Sequence, residues 1–265
     1  MLFLFWNTHK NLEINDVLIK LIREYNISIV ALAEYNASVK NLLNQLNDNG
    51  IEFIEYPSKG CDRITLFGEK DINIEPARQS YYASIQIINN KDILCCVHLN
   101  SKMYSDNGDE REIAVERIVR DIQSTENELQ TSNTVIVGDF NVNPYERECV
   151  NARYFHSLPI YTETKRKSRI VAKERFYMFY NPMWNFLGDH NKPYGTYYKN
   201  SGDSFCTYWN LYDQVMIRPE LRKRFVDNSL KIITEVEDIN LLDKKGHPNK
   251  AISDHLPIIF EIKEN

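Results

Sequence analysis

The apolar residues of this chain come in short runs, and one run after another ends on a side chain that can bind a cation or move a proton. Residues 2–6, 27–33, 51–56, 64–67, 82–88, 93–98, 134–137, 214–217, 230–234 and 258–262 are too short for buried helices and suit strands. Between the first of them the period changes. Ile14, Val17, Leu18, Leu21, Ile22 and Tyr25 recur at three- and four-residue steps, one face of a helix. Val39, Leu42, Leu43 and Leu46 predict a second helix, stopped by Asn49-Gly50, and Ala114, Ile118 and Ile122 mark the longest one, from Asp109 to about Leu129. This is an α/β pattern. No repeat or linker divides the 265 residues, so one domain over 1–265 is expected, with a long irregular insertion at about 151–210.

The run endings carry the chemistry. Asn7 follows LFLFW, Glu34 follows IVALA, His98 and Asn100 follow ILCCV, Asp139 and Asn141 follow VIVG, and Asp254-His255 precede LPIIF. Strand ends share a sheet edge, so residues distant in sequence can converge there. Carboxylate and amide oxygens suit Mg²⁺, with Mn²⁺ or Ca²⁺ as alternatives, better than zinc. His98 and His255 titrate near neutrality and can exchange protons or bind a phosphate. Taken singly, Asn7 reads as a turn residue, Glu34 as a solvated strand end and His98 as a core histidine. GDFN at 138–141 and SDHLP at 253–257 are sharper, because neither a D-x-N turn nor an Asp-His pair helps a strand to fold.

WN, the Glu ending the second run, HLN, GDFN, YDQV and SDHLP resemble, in order and over nearly the whole chain, the motif series of the endonuclease/exonuclease/phosphatase superfamily, with its deoxyribonuclease-like fold. The resemblance implies a four-layer α/β/β/α sandwich with two mainly antiparallel sheets flanked by helices. It implies that Asn7 and Glu34, joined by Asp254, hold the metal, and that Asp139 orients or deprotonates the attacking water. By the same resemblance Asn141 helps to hold the phosphate, His98 binds or protonates it, and His255 contacts it under the steering of Asp213. Two departures stand out. Ala33 occupies a position where many members carry Gln, and GCDRITLFG at 60–68 replaces a G-x-A-I-L-S-R-like segment, leaving Arg63, Arg78 and Tyr81 as expected phosphate contacts beside Asn100.

The superfamily includes nucleases, inositol-phosphate phosphatases, sphingomyelinases and deadenylases, so the resemblance does not choose a substrate. The local clue is the basic run Lys165, Arg166, Lys167, Arg169, Lys173 and Arg175, followed by Phe176, Tyr177, Phe179, Tyr180 and Trp184. Basic charge beside aromatics can track a nucleic-acid strand, though each component also suits a solvated face or a core. A nuclease with nucleic acid as substrate is the leading expectation. An intracellular phosphatase for inositol phosphates or other small phosphoesters is the alternative, and a catalytically inactive binding module is the third. Lys165, Arg166 and Lys167 are expected to bind substrate, with a flatter salt dependence once neutralised. The net charge of −5 does not itself advertise nucleic acid, although a carboxylate cluster awaiting cations would lower it. No apolar stretch approaches a membrane span, and five cysteines without C-x-x-C spacing argue against a disulfide framework, so a soluble, cytoplasmic protein is expected. Protein partners are left open.

Overall fold

The computed structural model describes residues 1–101, 109–190, 192–202, 204 and 206–264. In the first half the apolar runs become β1 (Leu2–Asn7), β2 (Ile29–Ala33), β3 (Phe53–Tyr56), β4 (Ile64–Glu69), β5 (Ile74–Ser80), β6 (Ala83–Ile88) and β7 (Asp92–His98). The periodic segments become α1 (Asn15–Tyr25) and α2 (Val39–Asp48), the latter capped at its N-terminus by Ser38, whose side chain accepts the Asn41 N–H. Next come α3 (Asp109–Leu129) and β8 (Thr134–Asp139), then the short α4 (Arg147–Val150), β9 (Ser157–Leu158), α5 (Tyr161–Thr164), β10 (Ser168–Val171), β11 (Glu174–Tyr177) and β12 (Phe179–Tyr180). The chain continues through β13 (Tyr197–Tyr198), β14 (Trp209–Asn210), β15 (Asp213–Ile217), β16 (Phe225–Ile232), β17 (Glu235–Val236), β18 (Ile239–Asn240) and β19 (Ile258–Ile262).

Two large sheets result, ordered β16-β19-β1-β2-β4-β3 and β5-β6-β7-β8-β15-β12-β9. Neighbours run antiparallel except at β1·β2, β7·β8 and β9·β12. The period-two alternation of strands decides the layering. Leu94, Cys96, Val135, Val137 and Val215 turn inward to join Phe3 and Phe5 of the first sheet, while Ile93, Cys95, Val97, Ile136 and Met216 turn outward against Val115, Ile118 and Ile122 of α3. Leu18, Leu21 and Ile22 of α1 cover the other face of the first sheet. The molecule is thus an α/β four-layer sandwich, helix–sheet–sheet–helix.

Within 151–210 the structure is less irregular than the sequence suggests. β9 and β12 extend the edge of the seven-stranded sheet, β10 and β11 form a hairpin, and β13 and β14 a ribbon. Two-residue strands leave no readable period. β5 also lacks a readable pattern, because it is an edge strand carrying Pro76 and a register shift, with most of its residues partly exposed.

One buried ion pair ties the outer helix to this sheet. Arg218 is 3% exposed; its Nε and Nη2 donate to the two carboxylate oxygens of Glu126 at 2.8 and 3.1 Å, and its Nη1 donates to the Met178 carbonyl. Thr134 donates to the same Glu126 at 2.6 Å. Arg218→Met is therefore expected to cost about 3 kcal/mol or more, because the Glu126 charge is left buried without its partner. Urea denaturation measures this, and a cost under about 1 kcal/mol would contradict it.

Candidate active site

The two long parallel pairs, one in each sheet, place their C-terminal ends at one rim. In β1·β2, Asn7 lies opposite Ala33, immediately before Glu34; in β7·β8, His98 lies opposite Asp139; and β15 begins with Asp213 opposite Asp139. The rim opens into a cleft of about 840 Å³ lined by Asn7, Glu34, His98, Asp139, Asn141, Asp254 and His255, with Arg63 and Asn100 on its wall. That volume lies within the range of small-molecule and nucleotide sites.

Asp139 is the hub, with 1% of its surface exposed. Its Oδ1 accepts the Asn141 backbone N–H at 2.9 Å, and its Oδ2 accepts the Asn7 Nδ2–H at 2.9 Å. The same Oδ2 stands 3.8 Å from His98 Nε2 and 3.8 Å from His255 Nε2, and His98 Nε2 is 3.7 Å from Glu34. Asp213 and His255 Nδ1 share a 2.8 Å hydrogen bond, and Trp6 donates its indole N–H to the His255 carbonyl. Ser253 donates to the Asn7 carbonyl at 2.7 Å, so β1 and the SDHLP segment hold one another. Glu34 and Asn141 have left-handed backbones, φ 49° and 52°. Asn tolerates this conformation readily; Glu does not, and such outliers gather at functional sites.

Burial pushes the Asp139 carboxyl above its ordinary range, with the neighbouring imidazoles and the Asn7 amide pulling the other way. Burial also lowers His98 to about 4, reinforced by the positive charge of Arg63, His255 and Lys10. His255 behaves oppositely: burial disfavours its charge, but Asp213 and Asp139 outweigh it and raise the pKa to about 10.

The donor chemistry fits a hard divalent cation. Glu34 and Asp254 offer carboxylate oxygens and Asn7 an amide oxygen on the wall of one cleft. Among the described residues, Asp139, Asp213 and His255 also bring ligand atoms within 4.8 Å of one another. There, however, Asp213 and His255 are already engaged with each other.

No protein-family model matches the sequence, and no curated protein matches it. Solved structures do. An AP endonuclease from Archaeoglobus fulgidus aligns over 100% of this chain and 100% of its own, with TM-score 0.58 and 12% identity. TDP2 of D. rerio, complexed with a single-strand DNA product, aligns over 100% and 99%, with TM-score 0.55 and 14% identity. An endonuclease/exonuclease/phosphatase family protein from Bacteroides thetaiotaomicron aligns over 99% and 97%, with TM-score 0.54 and 11% identity. The chain has the endonuclease/exonuclease/phosphatase fold.

Within this fold the expected substrate contacts separate. Arg63 lines the cleft, donates to Asn100 Oδ1 at 2.8 Å and lies 4.5 Å over the Tyr81 ring, so Arg63, Asn100 and Tyr81 form one group. Arg78 does not join it, because it turns to the outer layer and pairs with Thr125 and Glu128 of α3. Lys165, Arg166 and Lys167 are also elsewhere. The Lys167 carbonyl accepts the N–H of Met178, which leads into β12, and β12 meets β15 at Ile217. From Asp213 to Ile217 the ladder runs roughly 13 Å at ~3.3 Å per residue, away from the rim. Lys165 packs over Tyr161, Arg166 pairs with Glu163 and Lys167 with Glu220. Composition announced the basic run; register puts it at the end of the sheet away from the cleft. Neutralising all three is expected to leave KM for a short oligonucleotide within about twofold of wild type, and a rise of about tenfold, ~1.4 kcal/mol, would return them to the substrate.

The fold also brings in residues that no pattern marked. His9, Lys10, Tyr197 and Tyr212 line the cleft, and Tyr197 packs between Tyr212 and the His255 ring, at 5.2 and 4.7 Å. Tyr212 could have been found as the Tyr of YDQV. Tyr197 sits in a stretch with no usable period.

Proposed function

We propose that this chain is a divalent-metal-dependent phosphodiesterase acting on nucleic acid. The observation that carries the reading is the single carboxylate oxygen of Asp139, flanked at 3.8 Å by two imidazole nitrogens and steadied by the Asn7 amide. This arrangement suits a water molecule to be turned toward phosphorus. Asp139 orients that water and takes up its proton. His255, oriented and held in its charged form by Asp213, presents Nε2–H to a phosphoryl oxygen, and His98 and Asn141 hold the other oxygens. Asn7, Glu34 and Asp254 would hold Mg²⁺ or Mn²⁺, which polarises the phosphoryl group and offsets charge on the leaving oxygen.

Nucleic acid is favoured over a small ester by the wall of the cleft. Lys10, Arg63 and Lys199 supply positive charge for neighbouring phosphates, and Tyr197 and Tyr212 supply ring surface. The structures it is similar to include an AP endonuclease and a protein bound to a single-strand DNA product, in keeping with that choice. Among the described residues no helix is long and apolar enough to cross a membrane. The five cysteines are free thiols, which supports a reducing, cytoplasmic setting.

The test is cleavage of end-labelled single-stranded and duplex DNA and RNA with Mg²⁺, Mn²⁺ or EDTA, alongside Asp139→Asn. Cleavage that requires both the metal and Asp139 supports the reading. Hydrolysis confined to small phosphomonoesters or inositol phosphates would replace it with the phosphatase alternative.

A further inference from the structure

Immediately after β1, the turn of residues 8–11 touches all three side chains expected to hold the cation, or the backbone that carries them. Thr8 Oγ1 donates to the Glu34 carbonyl at 2.9 Å, and the Lys10 N–H donates to the same carbonyl at 2.9 Å. The His9 N–H donates to Asn7 Oδ1 at 3.0 Å. His9 Nδ1 lies 3.1 Å from Asp254 Oδ1, and Asn11 Nδ2 donates to the Ile252 carbonyl two residues upstream of Asp254. His9 and Lys10 are consecutive left-handed residues, φ 49° and 57°, and neither is Gly or Asn. Such a turn is unfavourable on its own and persists because its surroundings fix it. His9 has about half of its side chain exposed on the cleft wall, so core packing does not explain why an imidazole is held there.

We propose that His9 is a positioning residue for the cation: its imidazole, with Nδ1 3.1 Å from Asp254 Oδ1, fixes that carboxylate while its backbone N–H fixes Asn7, so that two ligands from opposite ends of the chain face one ion. This rests on the metal reading of Asn7, Glu34 and Asp254. It is independent of which ester is cleaved. Hydrogen bonds that orient a ligand in this way are typically worth 10- to 100-fold in metal affinity.

Mn²⁺ binding to the purified chain, followed by titration calorimetry and by loss of the free-ion electron paramagnetic resonance signal, tests this without any substrate. Glu34→Gln, His9→Gly and His9→Asn are compared with wild type. Glycine suits the left-handed backbone and removes only the side chain; asparagine suits it too and places an amide donor near the position of Nδ1. His9→Gly is expected to weaken Mn²⁺ binding by about 10- to 100-fold, and His9→Asn to recover it to within about threefold of wild type. Glu34→Gln is expected to abolish it. If wild type and Glu34→Gln bind Mn²⁺ alike, or neither binds, the cation site itself is wrong and the inference falls with it. If wild type binds, Glu34→Gln does not, and His9→Gly binds as wild type, the inference alone is overturned. A folded His9→Asn as weak as His9→Gly also overturns it, because the polar contact to Asp254 would then not be what matters.

Discussion

Asp139→Asn is expected to lower kcat and kcat/KM together by roughly 10³-fold, since a positioned general base contributes ~10² to 10⁴. The substitution is nearly isosteric but removes the two features the site uses, the negative charge between His98 and His255 and the capacity to accept a proton. KM should move little, because the groups assigned to the phosphate remain. The structure also sets a modest folding cost. The two carboxylate oxygens of Asp139 each accept one N–H, from Asn141 and from Asn7, whereas an amide offers a single acceptor and turns a donor toward the other partner. That mismatch costs on the order of 1–3 kcal/mol, partly offset by relief from burying a charge. Far-ultraviolet circular dichroism should therefore match wild type while turnover disappears. Turnover within tenfold of wild type, in a protein freed of contaminating nuclease, would remove Asp139 from the chemistry.

Gly138→Ala should fail at an earlier step, in folding. Gly138 lies opposite Val97 on the neighbouring parallel strand, and a Cβ built there would stand 2.0 Å from the Val97 carbonyl oxygen and 2.6 Å from Val97 Cγ2. The obstructing atoms include backbone in the centre of a sheet, which cannot swing aside as a surface side chain would. At least ~4 kcal/mol of destabilisation is expected, the scale reserved for severe core strain, and the variant should be recovered largely unfolded. A urea midpoint close to wild type would show that β7 and β8 can part without harm. Because Val97 and Gly138 immediately precede His98 and Asp139, any variant that does fold should have both side chains displaced.

The glycine of GDFN is therefore a packing requirement beside a chemical one, and this explains how much of the site was legible. Asn7, Glu34, His98 and Asp139 stood at the ends of apolar runs, which parallel pairing makes neighbours, and Asp254-His255 stood just before the run that lies antiparallel to β1. The fold was readable for the same reason, since the central strands are buried on both faces and read as continuous apolar runs. β5 and the two-residue strands had no such signature. Placement of the charged residues outside those runs was not readable at all. Arg63 and Arg78 look alike in sequence, yet one reaches the cleft and the other α3. The run at Lys165 to Lys167 is strongly basic, yet the antiparallel register of β12 on β15 carries it to the far end of the sheet. His9 shows a third kind of silence, since its position matters only once a left-handed turn has brought the ends of β1 and β2 and the segment before β19 together.

The left-handed backbone at Glu34 has a consequence for anyone engineering this protein. A non-glycine residue in that conformation forgoes about 1–2 kcal/mol relative to one that adopts it freely. Replacing Glu34 with glycine would relieve that strain and also remove negative charge from the rim, leaving a protein expected to melt later but, on the proposed metal role of Glu34, to lose its cation. Selection for heat resistance alone would thus drive this position toward inactivity, so a library built on this scaffold needs an activity screen at every round.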